Sequence, residues 1–131
     1  MDRRIEYQFY HWGPFLYHSS LQPIELMKIK NLCSKNKKKD HRKNLAGLIK
    51  HEYRIDPKKV FPIIHPYIKS YADGFREYRG KELTPNVSIL GAWVNYMTKF
   101  ESNPIHKHSG DLSFIIYTQV PEELKKEIIA L

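Results

Sequence analysis

The chain has one cysteine, Cys33, so no disulfide can form within it. That excludes the small disulfide-stapled secreted class and fits a reducing compartment. No apolar run approaches the roughly 18 residues that a membrane span requires. The opening Met1-Asp2-Arg3-Arg4-Ile5-Glu6-Tyr7 lacks the apolar core of a secretory leader. A cytoplasmic location is the expectation. No segment repeats, which sets solenoids and arrays aside. Acidic side chains are scarce: 14 Asp and Glu face 22 Lys and Arg, a net charge of +8. That sign suits nucleic acid, an anionic surface or an acidic substrate. Much of the excess lies in Lys28, Lys30, Lys35, Lys37, Lys38, Lys39, Arg42 and Lys43. Such a cluster between segments is first of all a solvated loop. No nucleic-acid-binding motif accompanies it, so nucleic acid stays a secondary expectation.

What is present is enough for one domain. A chain of 131 residues with 41% hydrophobic content can bury a core and is not disordered in composition. Residues 5–12 are aromatic-rich and partly alternating, which suits a lead-in strand. Gly13-Pro14 signals a turn, and Phe15-Leu16-Tyr17 resumes the strand. Trp12 is expected in the core, with His11 and His18 in structural or surface roles. Ser19 and Ser20 offer caps for a helix with Pro23 near its first turn. Ile24, Met27, Leu32 and Cys33 share its face, which places Cys33 at a buried or half-buried position. The helix should end before the polar run 34–39.

Asp56-Pro57 is a helix start, with the acid as cap and the proline at the first helical position. Val60, Phe61, Ile64, Tyr67, Ile68, Tyr71 and Phe75 form a wide apolar stripe behind it. Pro66 has no N–H to donate back, which predicts a kink or two helices meeting there. Gly80 is the expected C-cap. Val87–Thr98 and Leu112–Val120 have the alternation of strands. Pro121-Glu122-Glu123 opens a last helix, with acids at its positive end. The expected domain is single, 1–131: helical support over 19–80, core strands and a polar turn over 87–120, and a terminal helix over 121–131.

The polar turn carries the chemistry. His106 and His108 are two apart, and in extended backbone such side chains share a face. Two imidazoles on one face can chelate one ion. Asp111 follows Gly110, where the chain can turn back towards the same point. Neutral imidazole and carboxylate suit Fe(II), Zn(II) and similar ions. The competing reading is a polar hairpin rim with solvated histidines. A structural zinc site would need a fourth ligand or water.

The run Asn103-Pro104-Ile105-His106-Lys107-His108-Ser109-Gly110-Asp111-Leu112-Ser113-Phe114-Ile115-Ile116-Tyr117 resembles the metal-binding turn and following strand of the 2-oxoglutarate/Fe(II)-dependent oxygenase superfamily. The likeness is nearest to small oxygenase-like proteins of tailed bacteriophages. Phe9-Tyr10-His11-Trp12-Gly13-Pro14 and Asp40-His41-Arg42-Lys43-Asn44-Leu45-Ala46-Gly47, followed by Glu52-Tyr53, resemble the same family. The resemblance implies an α+β fold: a partial double-stranded β-helix, or cupin-like jelly roll, with N-terminal helices packed on the sheet. It implies Fe(II) and 2-oxoglutarate as cofactors, and hydroxylation of a substrate. His106 is the first metal ligand on this reading. The second is His108, which the shared strand face favours, or Asp111, which the family's histidine-and-carboxylate pattern favours. In the latter case His108 is itself the histidine paired with the acid. Asn95, Ser113 and Tyr117 are candidates to approach the cosubstrate. For Asn95 the competing partner is backbone, and for Tyr117 it is ordinary packing.

Family members carry a distal histidine and a basic cosubstrate anchor on later strands. No histidine follows His108 here, and Lys125 and Lys126 are the only basic residues after Asp111. The chain is therefore expected to resemble the N-terminal portion of such a protein and to be inactive by itself. Its partner would be a C-terminal half, or a second copy through an exposed sheet edge. A phage structural or accessory protein that kept the fold without the chemistry is the alternative. The host cytoplasm or the virion would be its location.

Overall fold

The computed structural model describes residues 4–10, 13–35, 48–83 and 86–130. His11, Trp12, most of the basic cluster and the stretch from Asp40 to Gly47 lie outside the described residues. The chain forms β1 (Gln8–Tyr10), β2 (Leu16–His18), α1 (Pro23–Lys35), β3 (Glu52–Ile55), α2 (Pro57–Arg79), β4 (Ala92–Asn95) and α3 (Glu122–Ala130). The strands pair as two antiparallel ribbons, β1 with β2 and β3 with β4. This is a small α+β fold. Among the described residues no helix is long and apolar enough to cross a membrane.

The β1–β2 hairpin has the expected turn, with Phe9 opposite Tyr17. Its aromatic face lies on the C-terminal half of α2. The Phe15 ring meets Tyr71 edge-on at 5.2 Å and stacks on Tyr78 at 5.3 Å. Tyr7 stacks on Tyr17 at 5.4 Å, and its hydroxyl donates to Glu77 Oε2 at 2.6 Å. That bond to the carboxylate, with some burial, raises the phenol above its ordinary range.

Helix α2 begins and ends as its residues dictate. The Asp56 carboxylate accepts from the Lys58 N–H at 2.9 Å. Gly80 turns the chain left-handed at φ 67°, and its N–H donates to the Arg76 carbonyl at 2.7 Å. Pro62 and Pro66 both lie inside one continuous helix, so two separate helices are not formed. The buried Val60 and Ile64 flank Pro62, with Ile64 two residues before Pro66, and tertiary packing of this face holds the helix despite the lost N–H donors. Helix α1 starts later than Ser19 and Ser20 suggested. Its cap comes from inside: the Glu25 carboxylate accepts from the Gln22 N–H at 2.9 Å. The same carboxylate receives the Tyr67 hydroxyl, which ties α1 to α2.

The core lies between the two helices and the second ribbon. Ile29 and Cys33 of α1, Ile55 of β3, Val60 and Ile64 of α2 and Ala92 of β4 form it. Cys33 is buried as expected, and burial pushes its thiol up.

Two expected strands differ. The run Val87–Thr98 forms a strand only over Ala92–Asn95, where β3 is available to pair with it. Leu112–Val120 forms no strand among the described residues. Its alternation survives: Ile116, Thr118 and Val120 are half-buried, and Ile115, Tyr117 and Gln119 are exposed. A strand is defined by ladder partners, and this segment has none among the described residues. The jelly-roll strands expected over 87–120 are thus not assembled among the described residues.

Candidate metal-binding turn

The β3–β4 ribbon has two unlike faces. Register pairs Glu52 with Asn95, Tyr53 with Val94, Arg54 with Trp93 and Ile55 with Ala92. Alternation then puts Ile55, Ala92 and Val94 on the core side, where they meet the helices. Glu52, Arg54, Trp93 and Asn95 share the other face. Glu52 is 1% exposed there.

Beyond β4 the chain is held by backbone and one acid. The Tyr96 N–H donates to the His51 carbonyl at 2.9 Å, and the Leu48 N–H donates to the Ser102 carbonyl at 2.9 Å. Between them Glu101 grips two strands of chain. Its carboxylate accepts from the Thr98 N–H at 2.7 Å and from the Lys50 N–H at 3.0 Å. Those two amides hold the carboxyl below its ordinary value. Sequence reasoning passed over Glu101, because nothing local distinguishes it from a solvated acid.

The clamped loop delivers the histidines. His106 Nδ1 lies 2.6 Å from the Pro104 carbonyl, which can only accept, so this nitrogen carries the proton. His106 Nε2 is then a lone pair. It lies 2.9 Å from His108 Nε2, with the two rings edge-on at 4.5 Å. His108 stacks on Trp93 at 5.7 Å, which joins the turn to the polar face of the ribbon. Gly110 follows at φ 91°, a left-handed conformation that a side chain would strain.

Two imidazole nitrogens 2.9 Å apart share a proton or an ion. Adjacent ligands at right angles on an ion with bonds of ~2.1 Å would be ~3.0 Å apart, so the pair fits two cis positions. The Pro104 carbonyl fixes the tautomer that such a ligand needs.

The remaining candidates stand differently. His106 and His108 come together, whereas Asp111 is exposed and does not join them. No group of three His, Cys, Asp or Glu able to hold a metal occurs among the described residues. Gly110 turns the chain, but not so as to return the Asp111 carboxylate to the pair. Asn95 sits on the polar face, with a buried Oδ1 that has no hydrogen-bond partner among the described residues. Ser113 and Tyr117 are exposed on the unpaired segment. Lys125 pairs with Glu122 at 2.6 Å on the surface of α3. No protein-family model, no curated protein and no solved structure matches the chain.

Proposed function

We propose that this chain is an oxygenase-like domain of the non-haem Fe(II)/2-oxoglutarate-dependent kind, with His106 and His108 as its metal-holding side chains. The 2.9 Å approach of their Nε2 atoms, with the His106 tautomer set by Pro104, supports this reading. A bound iron with its cosubstrate would supply the oxidation that hydroxylates a substrate C–H bond. The chain's own part is to orient the two imidazoles through Trp93 and the Glu101 clamp. Both histidines are exposed, and two ligands in open water hold Fe(II) weakly. The isolated 131-residue chain is therefore inactive on this proposal. The partial double-stranded β-helix would be completed by strands that pair with β4 and with Leu112–Val120, from a C-terminal half or a second copy. Leu112, Phe114, Ile115 and Tyr117, between 49% and 76% exposed, are the apolar surface such strands would cover.

The test is metal titration with Co(II) or anaerobic Fe(II) and 2-oxoglutarate, followed by visible absorption. Binding by the wild type that is lost in His106→Ala and His108→Ala supports the proposal, and no binding in the wild type ends it. Succinate release with Fe(II), ascorbate and oxygen checks inactivity: turnover that vanishes in the double variant would refute that part. The incomplete ligand set among the described residues favours a second reading, a phage structural or accessory protein that keeps the fold without catalysis. That reading predicts no metal binding and an unchanged stability in both histidine variants.

A further inference from the structure

One end of the β3–β4 ribbon is apolar and basic at once. Glu52 pairs with Asn95 at the end of the ladder, so the chain before β3 and the chain after β4 leave the ribbon together. Backbone and the Glu101 carboxylate keep them together: His51 joins Tyr96, Lys50 joins Glu101 and Leu48 joins Ser102. This end carries Leu48, Met97, Phe100 and Ile105, all exposed; Phe100 is 93% exposed and Ile105 entirely so. Lys50, Lys99 and Lys107 are exposed on the same stretches. The Lys99 Nζ lies over the Phe100 ring at 5.0 Å. Glu101, the acid of this loop, is half-buried, and two amides occupy its carboxylate.

Phe100 is held there against its backbone preference. The Glu101 N–H donates to the Thr98 carbonyl at 3.1 Å, which makes Lys99 and Phe100 the central pair of a turn. Phe100 has φ 69°, and a turn with positive φ at its third residue ordinarily places Gly or Asn there. A bulky aromatic in that region strains the backbone. The exposed ring returns almost no packing for that strain. The cost points to a use outside the fold.

We propose that this end of the ribbon docks on an anionic lipid bilayer. Phe100 and Ile105 enter the headgroup boundary, and Lys50, Lys99 and Lys107 meet lipid phosphates. Apolar side chains flanked by lysines match a surface that is oily beneath and negative above. The aliphatic Leu48, Met97 and Ile105 set this end apart from a nucleic-acid surface, where rings stack on bases and aliphatic tips gain little. The contact is peripheral, since no described helix is long and apolar enough to cross a membrane. It uses neither His106 nor His108, so it stands apart from the proposal for the metal.

The test is co-sedimentation of the full chain, in EDTA, with vesicles of phosphatidylcholine alone and of phosphatidylcholine mixed with phosphatidylglycerol. The expected result is binding to the mixed vesicles that weakens with salt and is at least about tenfold weaker on phosphatidylcholine alone. Phe100→Gly is the deciding variant. Glycine suits φ 69°, so this chain should melt no lower than the wild type, yet bind mixed vesicles at least about fivefold weaker. Ile105→Ser should weaken binding by a similar factor. Lys99→Gln should cost about fivefold, the effect of one lysine near an anionic surface. No binding to the mixed vesicles, equal binding to both compositions, or unchanged binding in Phe100→Gly would each overturn the proposal. So would a markedly lower melting temperature in Phe100→Gly, since the ring would then serve the fold. If Phe100→Gly weakened binding of a single-stranded oligonucleotide and left vesicle binding untouched, the turn would belong to nucleic acid and the proposal would fall.

Discussion

Gly74 sits in the interior of α2, where glycine is a poor choice, and replacing it with alanine has a sign that the tertiary packing decides. In an isolated helix Gly→Ala gains about 1 kcal/mol. Here a Cβ would lie 3.0 Å from Tyr7 Cε2 and 3.5 Å from Phe15 Cζ. The Tyr7 ring cannot simply withdraw. Its hydroxyl is bonded to Glu77 at 2.6 Å, and its ring is stacked on Phe9 and Tyr17. Overpacking of this kind costs about 1–3 kcal/mol. The two effects oppose, and Gly74→Ala should be net destabilising by ~1 kcal/mol, a few degrees in Tm for a chain of this size. Urea unfolding monitored by circular dichroism gives the value. The decisive comparison is the same substitution in a Tyr7→Ala background. With the ring gone, the propensity gain remains, and Gly74→Ala should turn stabilising by about 1 kcal/mol. A stabilising effect in both backgrounds would refute the docking of the hairpin on α2.

Two further outcomes concern the turn. Glu101 has a folded-state pKa below its unfolded value, so its stabilisation of the loop is complete above the ordinary Glu range near ~4.3 and is lost as pH falls through the depressed value. The amide resonances of Lys50 and Thr98 should therefore titrate together with a midpoint below that range and stay flat in Glu101→Ala; a midpoint at or above it would refute the clamp. Gly110→Ala places a side chain at φ 91° with its Cβ 3.1 Å from Leu90 Cδ1, at a cost of about 1–3 kcal/mol. If Co(II) binds the histidine pair, this variant should bind it about fivefold or more weaker, since about 1 kcal/mol of loop strain has that effect; unchanged affinity would show that the pair does not depend on this turn.

Much of the local structure was determined by the sequence alone. Gly13-Pro14 lies in the turn between two aromatic segments that pair as β1 and β2, as the punctuation by these residues suggests. Asp56-Pro57 and Gly80 bound α2, because capping involves atoms within one turn of the ends. The two-residue spacing of His106 and His108 was legible in the sequence, and their rings meet in the fold. Tertiary structure decided what depends on distant partners. Glu52-Tyr53-Arg54-Ile55 is a strand because β4, lying beyond the whole of α2, pairs with it; its own residues are too polar and too few to announce one. The longer, more apolar Leu112–Val120 is not a strand among the described residues, because alternation makes a segment fit for a sheet and only ladder hydrogen bonds make it part of one. Glu101 is a clamp and not a surface acid for the same reason: its two donors are the Thr98 and Lys50 amides, and Lys50 reaches it only through the fold. Arg54 and Asn95 share a face with Trp93 by register, and His108 joins it by stacking on Trp93, relations that no single stretch of sequence contains.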